Sequence, residues 1–462
     1  MPIAPGRPLI RHLRAGTLAR LLTLFALLAA SASGVAQARL EVRVLAHVPA
    51  PGFPASATVG SDGTIFTGTF KSFSFPSDTG PSKVFAFSPH GHLLRTYTVT
   101  GQTRGAADAV QVATMDRSGT LYLLDQDPAR IVKLNPVTGQ QTAWATFRSL
   151  PACPSGAATG QCSNGSGGNP PEPDFAAWGP DGSLYVTDYN QALIWRVPPT
   201  GGAASVWLTD PRLNGIIVGP AGLQLMADGH TLLLSAGGGG TDPLTGKLYT
   251  LPIGADGRPG VLHQLWESGV AEAPDGLAIA RSGNIYLALV GPTGNAVVEI
   301  SSHGQLIARV PADAAANSAM SVPFDAPGSV AFAGDSVIVT NGASLLNDSG
   351  HWALLQITVG EPGLSPSLPP AARAPITYRL GVNPRRVVSG RRTIFRFTAT
   401  RVVGHTVRPI AGALVRFAGR VAHTGRRGRA RLALILHRRQ TRFRAVLLLN
   451  GHRVATAVIR TR

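Results

Sequence analysis

The stretch "EAPDGLAIARSGNIYLAL", residues 272–289, sets Asp275 at the head of an apolar run. A carboxylate in such a place can act as an oxygen ligand for a hard cation and as a proton carrier. It can also be a turn residue, because Pro-Asp-Gly is ordinary turn chemistry in which Asp bonds its own backbone. Other reactive side chains are sparse. His90, His92 and His303 lie in "SPHGHLL" and "SSHGQLI", the same hairpin turn in two related segments, and read as surface turns. The run "SAGGGGTDPLTG", 235–246, lacks the Lys-Ser/Thr and following helix of a phosphate loop. Cys153 and Cys162, the only cysteines, share one loop and read as a local disulfide without redox chemistry.

The elements that would position Asp275 recur. An apolar strand, an Asp/Ser-Gly turn and a second apolar strand appear as "ASATVGSDGTIFTG", "QVATMDRSGTLYLLD", "DFAAWGPDGSLYVTD", "AGLQLMADGHTLLLS", "DGLAIARSGNIYLAL" and the shorter "GSVAFAGDSVIVTN". These six copies begin at Ala55, Gln111, Asp174, Ala221, Asp275 and Gly328, spaced by 47 to 63 residues. A second hairpin follows the first in five of them. About four strands per repeat of roughly 50 residues describe a propeller blade. The pattern therefore predicts an all-β chain with a six-bladed β-propeller over 39–360, closed by pairing of "LEVRVLAHV" with "WALLQITVG".

Residues 1–38 read as an export signal: Arg7, Arg11, Arg14 and Arg20 precede the apolar run 21–30, and Ala36-Gln37-Ala38 supplies a cleavage site. The apolar run is too short to span a bilayer comfortably, and no later stretch approaches ~20 uninterrupted apolar residues. A secreted, extracytoplasmic protein without a transmembrane segment is expected. Residues 361–375, "EPGLSPSLPPAARAP", form a Pro-rich linker, and 376–462 alternate like a small immunoglobulin-like β-sandwich. Residues 371–462 hold 22 Arg and no Lys, Asp or Glu, whereas 39–370 sum to −8. Few aromatics interleave the arginines, which argues against nucleic acid. An acidic cell-envelope polymer, anionic lipid heads or the acidic propeller itself are the expected partners of residues 371–462, the first being the reading adopted.

The segments "APDGLAIARSGNIYLAL", "GKLYTLPIGADGRPG" and "FDAPGSVAFAGDSVIVTNGASLLNDSGHWALLQITVG" resemble the SMP-30/gluconolactonase/LRE-like (strictosidine-synthase-like) family of six-bladed propellers. The resemblance covers roughly residues 40–362. It implies a divalent cation (Ca, Mg, Mn or Zn) at the mouth of a central channel, held by residues at the inner ends of several blades. It also implies a lactone or ester substrate and a hydrolase. Carried over by position, the metal ligands would be Asp174, Asn214 and Asp275, with Asp275 the candidate catalytic residue. The family's first Glu is Ala55 here, and Pro173 replaces the Asn that precedes Asp174. The fourth copy allows two alignments: Asn214-Gly215 as the ligand pair, or Ala221 in the ligand position. The alternative to a hydrolase is a non-catalytic ligand- or protein-binding propeller with a degenerate metal site.

Overall fold

The computed structural model describes residues 39–70, 81–103, 109–154, 161–163, 165, 170–215, 219–238, 244–344, 347–369, 376–403, 406–437, 441–449 and 451–461. The export signal and the end of the Pro-rich segment lie outside these residues, as does the centre of the glycine run. Contacts divide the chain into two units, Met1–Ala371 and Ala372–Arg462.

The first unit is built from six sheets, numbered here in chain order and antiparallel except where the short strand Gly202–Ala203 joins the edge of the second in parallel. Their first strands are Pro54–Val59, Val110–Met115, Pro173–Trp178, Pro220–Leu225, Pro274–Ile279 and Pro327–Ala333. Each first strand packs beside the next, and that of the sixth sheet packs beside that of the first. The inner strands thus close a cycle. The final strand of the sixth sheet comes from the other end of the chain: Val42–His47 pairs with Ala353–Thr358, Val42 facing Ile357 and His47 facing Ala353. Cross-chain pairing of this kind leaves neither end of the ring as a free sheet edge.

Six apolar cores separate the six sheets. One, for example, joins Tyr122, Leu124 and Ile131 of the second sheet to Trp178, Leu184 and Trp195 of the third, and another joins Tyr286 and Val297 of the fifth to Val339 and Leu355 of the sixth. Because each sheet is covered on both faces, its middle strands are apolar nearly throughout; Leu121–Gln126 and Ile285–Leu289 are entirely buried. The outermost strands break this pattern, as in Leu93–Thr98, where only Tyr97 is buried. Burial on two faces explains why the second copy reads "LYLLDQ" and not a strict alternation.

The Pro-rich segment begins as part of this unit. Gly363 bridges Ala280, and the Leu364 amide donates to the Ile279 carbonyl at 2.8 Å. Glu361 accepts from the Tyr286 hydroxyl at 2.8 Å. Leu364 then packs on the core between sheets four and five, and Leu368 on that between sheets two and three. Residues 361–368 are a strap bound to the sheets, where composition alone suggests a semi-extended linker.

The second unit has two sheets around one core. One contains Ile376–Asn383, Arg392–Val403, Thr406–Pro409 and Arg429–Ile435; the other contains Arg386–Val387, His452–Thr461, Arg442–Leu449, Leu414–Phe417 and Arg420–His423. Phe395 and Phe397 of the first meet Phe417 of the second, with ring centroids 4.9 and 5.6 Å apart. Alternation of buried and exposed residues along Arg429–Ile435 follows from one face meeting that core.

Candidate functional site

Register fixes the site. Pro54 faces Thr69, Val110 faces Asp125, Pro173 faces Asp188, Pro220 faces Ala236, Pro274 faces Leu289 and Pro327 faces Asn341. The next residue of each first strand is therefore equivalent around the cycle: Ala55, Gln111, Asp174, Ala221, Asp275 and Gly328. All but Ala221 line one cavity of about 50 Å³, together with Ser56, Tyr189, Val290, Ala326 and Ser344. That volume holds a few waters.

Asp275 occupies a strand, not a turn. Gly276 is required there by close approach: a Cβ would meet the Gly328 carbonyl oxygen and Ser329 Cα at 2.7 Å. The Asp275 main-chain carbonyl accepts from Ser235 Oγ at 2.6 Å, which ties it to the fourth sheet. Its side chain has no such support. Oδ1 is sealed from solvent without a hydrogen-bond partner, and Oδ2 points toward Gly328, whose missing Cβ would lie 3.6 Å away. Burial, reinforced by the negative charge of Asp174, pushes the Asp275 carboxyl well above the usual carboxylate range.

Asp174 is buried and held by a relay. The Ser56 amide donates to Gln111 Oε1 at 2.6 Å, and Gln111 Nε2 donates to Asp174 Oδ1 at 2.6 Å. That bond lowers its pKa, but burial dominates and the charges of Glu172 and Asp188 add to it, so Asp174 is pushed up to about 7. Tyr189 is raised by burial and by the neighbouring carboxylates of Glu172, Asp174 and Asp188. Two carboxyl groups with elevated proton affinity thus share a small cavity at the inner ends of the third and fifth sheets.

The remaining sequence candidates lie elsewhere. Asn214 is exposed; it ends the short 3-10 turn Pro211–Leu213, its amide donating to the Pro211 carbonyl. The fourth sheet instead begins at Pro220 and sets Ala221 in the ring position, so of the two alignments the structure adopts the one that leaves that position without a ligand. Ala55 and Gly328 also bring no donor side chain. His90, His92 and His303 are exposed in turns. Cys153 and Cys162 form a disulfide in the loop entering the third sheet.

Three buried carboxylates near the mouth escaped the sequence reading. Asp188 accepts from the Glu172 amide at 3.1 Å, the Gln191 amide at 2.9 Å, Gln191 Nε2 at 3.1 Å and Trp195 Nε1 at 2.9 Å. Asp125 accepts from Gln102 and Arg130, and Asp325 lies 2.9 Å from His351 Nδ1. The signal was present in "YLLD" and "YVTD", where two copies set an Asp at or next to the end of their second strand.

Among the described residues, no three His, Cys, Asp or Glu side chains cluster as a metal site. Two carboxylates, one with a sealed and unpartnered oxygen, beside a cavity with room for water fit a divalent cation whose shell is completed largely by water. They fit nothing richer in protein ligands.

No protein-family profile matches the chain, and no curated protein does. Solved structures do resemble it. The calcium-binding protein regucalcin from Agrobacterium tumefaciens aligns at 18% identity with a TM-score of 0.49, over 72% of this chain and 98% of its own. A luciferin-regenerating enzyme aligns at 14% identity and 0.47, over 71% and 99%. A protein assigned as a gluconolactonase aligns at 16% identity and 0.47, over 71% and 94%. These neighbours and the resemblance read from the sequence name the same group of propellers.

Proposed function

We propose that the six sheets are the blades of one propeller over residues 39–360, followed by a basic immunoglobulin-like sandwich over 376–462. In this reading the chain is exported by residues 1–38. The mouth pocket hydrolyses a lactone or similar ester, and the sandwich attaches the protein to an acidic envelope polymer. The observation that carries the catalytic reading is that Asp174 and Asp275 line one cavity, with Oδ1 of Asp275 sealed from solvent and without a partner.

Asp174 and Asp275 would hold a divalent cation, which when bound polarises the substrate carbonyl. The protein's own contribution is proton transfer and placement. Asp275 takes the proton of the attacking water as the new C–O bond forms, then returns it to the ring oxygen as the acyl C–O bond breaks, giving a hydroxy acid. Gln111 Nε2 fixes Asp174 by donating one hydrogen bond to Oδ1, leaving the other carboxylate oxygen for the site. Val290 and Ala326 supply an apolar wall, which raises the strength of every charge interaction inside.

The test is a calcium, magnesium, manganese and zinc titration read by thermal unfolding, with a lactone-hydrolysis screen. A cation-dependent rise in melting temperature that Asp275→Asn abolishes, with loss of hydrolysis, is expected. A cation response without any hydrolysis would replace the enzyme by a binding propeller, the reading favoured by the bare Ala55, Ala221 and Gly328 positions. Neither response would remove the site.

A further inference from the structure

The second unit places arginine against arginine. Arg442 faces Arg460 across an antiparallel pair, and Arg460 faces Arg386 on its other side. All three are exposed, on the outer face of the sheet whose inner face carries Ala445, Leu447 and Ile459 in the core. Adjacent strands lie ~4.8 Å apart, so three guanidiniums form one rung about 10 Å long. Arg444 stands two residues along from Arg442, and Arg416 faces Val446 on the next strand, extending the same face.

Like charges directly opposite each other destabilise a sheet. Among the described residues nothing relieves them: residues 371–462 contain no Asp or Glu, and none of these guanidiniums has a described partner. The geometry points to a built docking face for a linear phosphate polymer, with the Arg386–Arg460–Arg442 rung at its centre. Phosphate suits it because a tetrahedral anion presents oxygens out of one plane and can bridge two neighbouring forks, whereas a planar carboxylate satisfies one fork in its own plane. A nucleic acid suits it less, because among the described residues no exposed Phe, Tyr or Trp stands on this face for a base to stack on. This inference rests on the reading of residues 376–462 as a polyanion-binding unit and adds which face binds, and what.

The test uses the full chain and long-chain inorganic polyphosphate as probe, titrated over a series of salt concentrations. Binding of the wild type is expected to weaken steeply with salt. Arg442→Gln with Arg460→Gln should lower the affinity roughly tenfold near 0.15 M salt and reduce the slope of log K against log salt by about two. The control pair Arg379→Gln and Arg392→Gln removes the same charge from the other sheet, where these residues face Thr400 and Ile435. It should cost about threefold or less. Circular dichroism confirms that both variants fold. Equal losses in both variants would overturn the rung and leave attachment by net charge alone. No binding by the wild type to polyphosphate, polygalacturonate or single-stranded DNA would overturn both the rung and the attachment. Tighter binding to polygalacturonate or to single-stranded DNA than to polyphosphate would overturn the phosphate assignment.

Discussion

Asp188 and Asp275 are both carboxylates drawn into the mouth of the ring, one at the end of a second strand and one at the start of a first. Asp188 accepts four hydrogen bonds, from two main-chain amides, a side-chain amide and an indole. Asp275 leaves Oδ1 with none. Burial raises the proton affinity of both, yet at Asp188 four donors oppose it and at Asp275 the neighbouring Asp174 adds to it. A satisfied buried carboxylate organises a loop; an unsatisfied pair is a site waiting for a proton, a cation or a substrate. The difference separates scaffold from chemistry more sharply than burial does.

The largest effect should fall on the scaffold. Asp188→Ala strands the buried Gln191 amide and Trp195 Nε1 and removes the partner of the part-buried Glu172 amide, leaving Gln191 Nε2 only its bond to the Arg148 carbonyl, and should cost about 4 kcal/mol in denaturant unfolding. A loss below about 1 kcal/mol would erase the contrast. Asp275→Asn should do the opposite. It replaces a buried carboxyl group that nothing supports with a neutral amide of the same shape, so the cation-free protein keeps or gains stability, while hydrolysis falls by about a hundredfold or more. A variant that loses stability and activity together would place Asp275 in the scaffold as well.

The pair also dictates a pH trend. Asp174 titrates at about 7 in the folded chain against an ordinary 3.8, so between these values the folded state binds more protons than the unfolded one. Stability must then fall as pH rises from about 4 to about 7. In the cation-free protein, unfolding of the wild type measured against Asp174→Asn should show this fall. A saturating divalent cation should cancel it by favouring the ionised pair. A difference independent of pH would mean that Asp174 is ionised throughout, as Asp188 would be if its donors prevailed.

The repeat was legible because a sheet covered on both faces writes long apolar strands between Gly turns, and the six ring positions could be read directly as the first residues of the six copies. Asp275 and Asp174 were visible for that reason. The strap 361–368 was not, since Pro-rich composition reports the lack of strand hydrogen bonding and says nothing of Leu364 and Leu368, which reach two different cores. Asp188 was missed because its role depends on Gln191 and Trp195 lying within one turn of chain geometry, not on its own spacing. The opposed arginines needed a register, which no composition supplies.

The smallest effect tests the alignment itself. Asn214 follows a short turn that is capped by Asp210, whose side chain accepts from the Arg212 amide, and its own contribution there is a main-chain bond that any residue can make. Asn214→Ala should therefore change stability by less than about 0.5 kcal/mol and leave both the cation titration and hydrolysis unaltered. Ala221 holds the ring position of the fourth sheet with a side chain that offers no oxygen, so the site has to work with the carboxylates of the third and fifth. Loss of cation binding in Asn214→Ala would mean that the loop after Leu213 swings inward to the mouth. The contrast between a bare fourth position and a paired third and fifth would then fail.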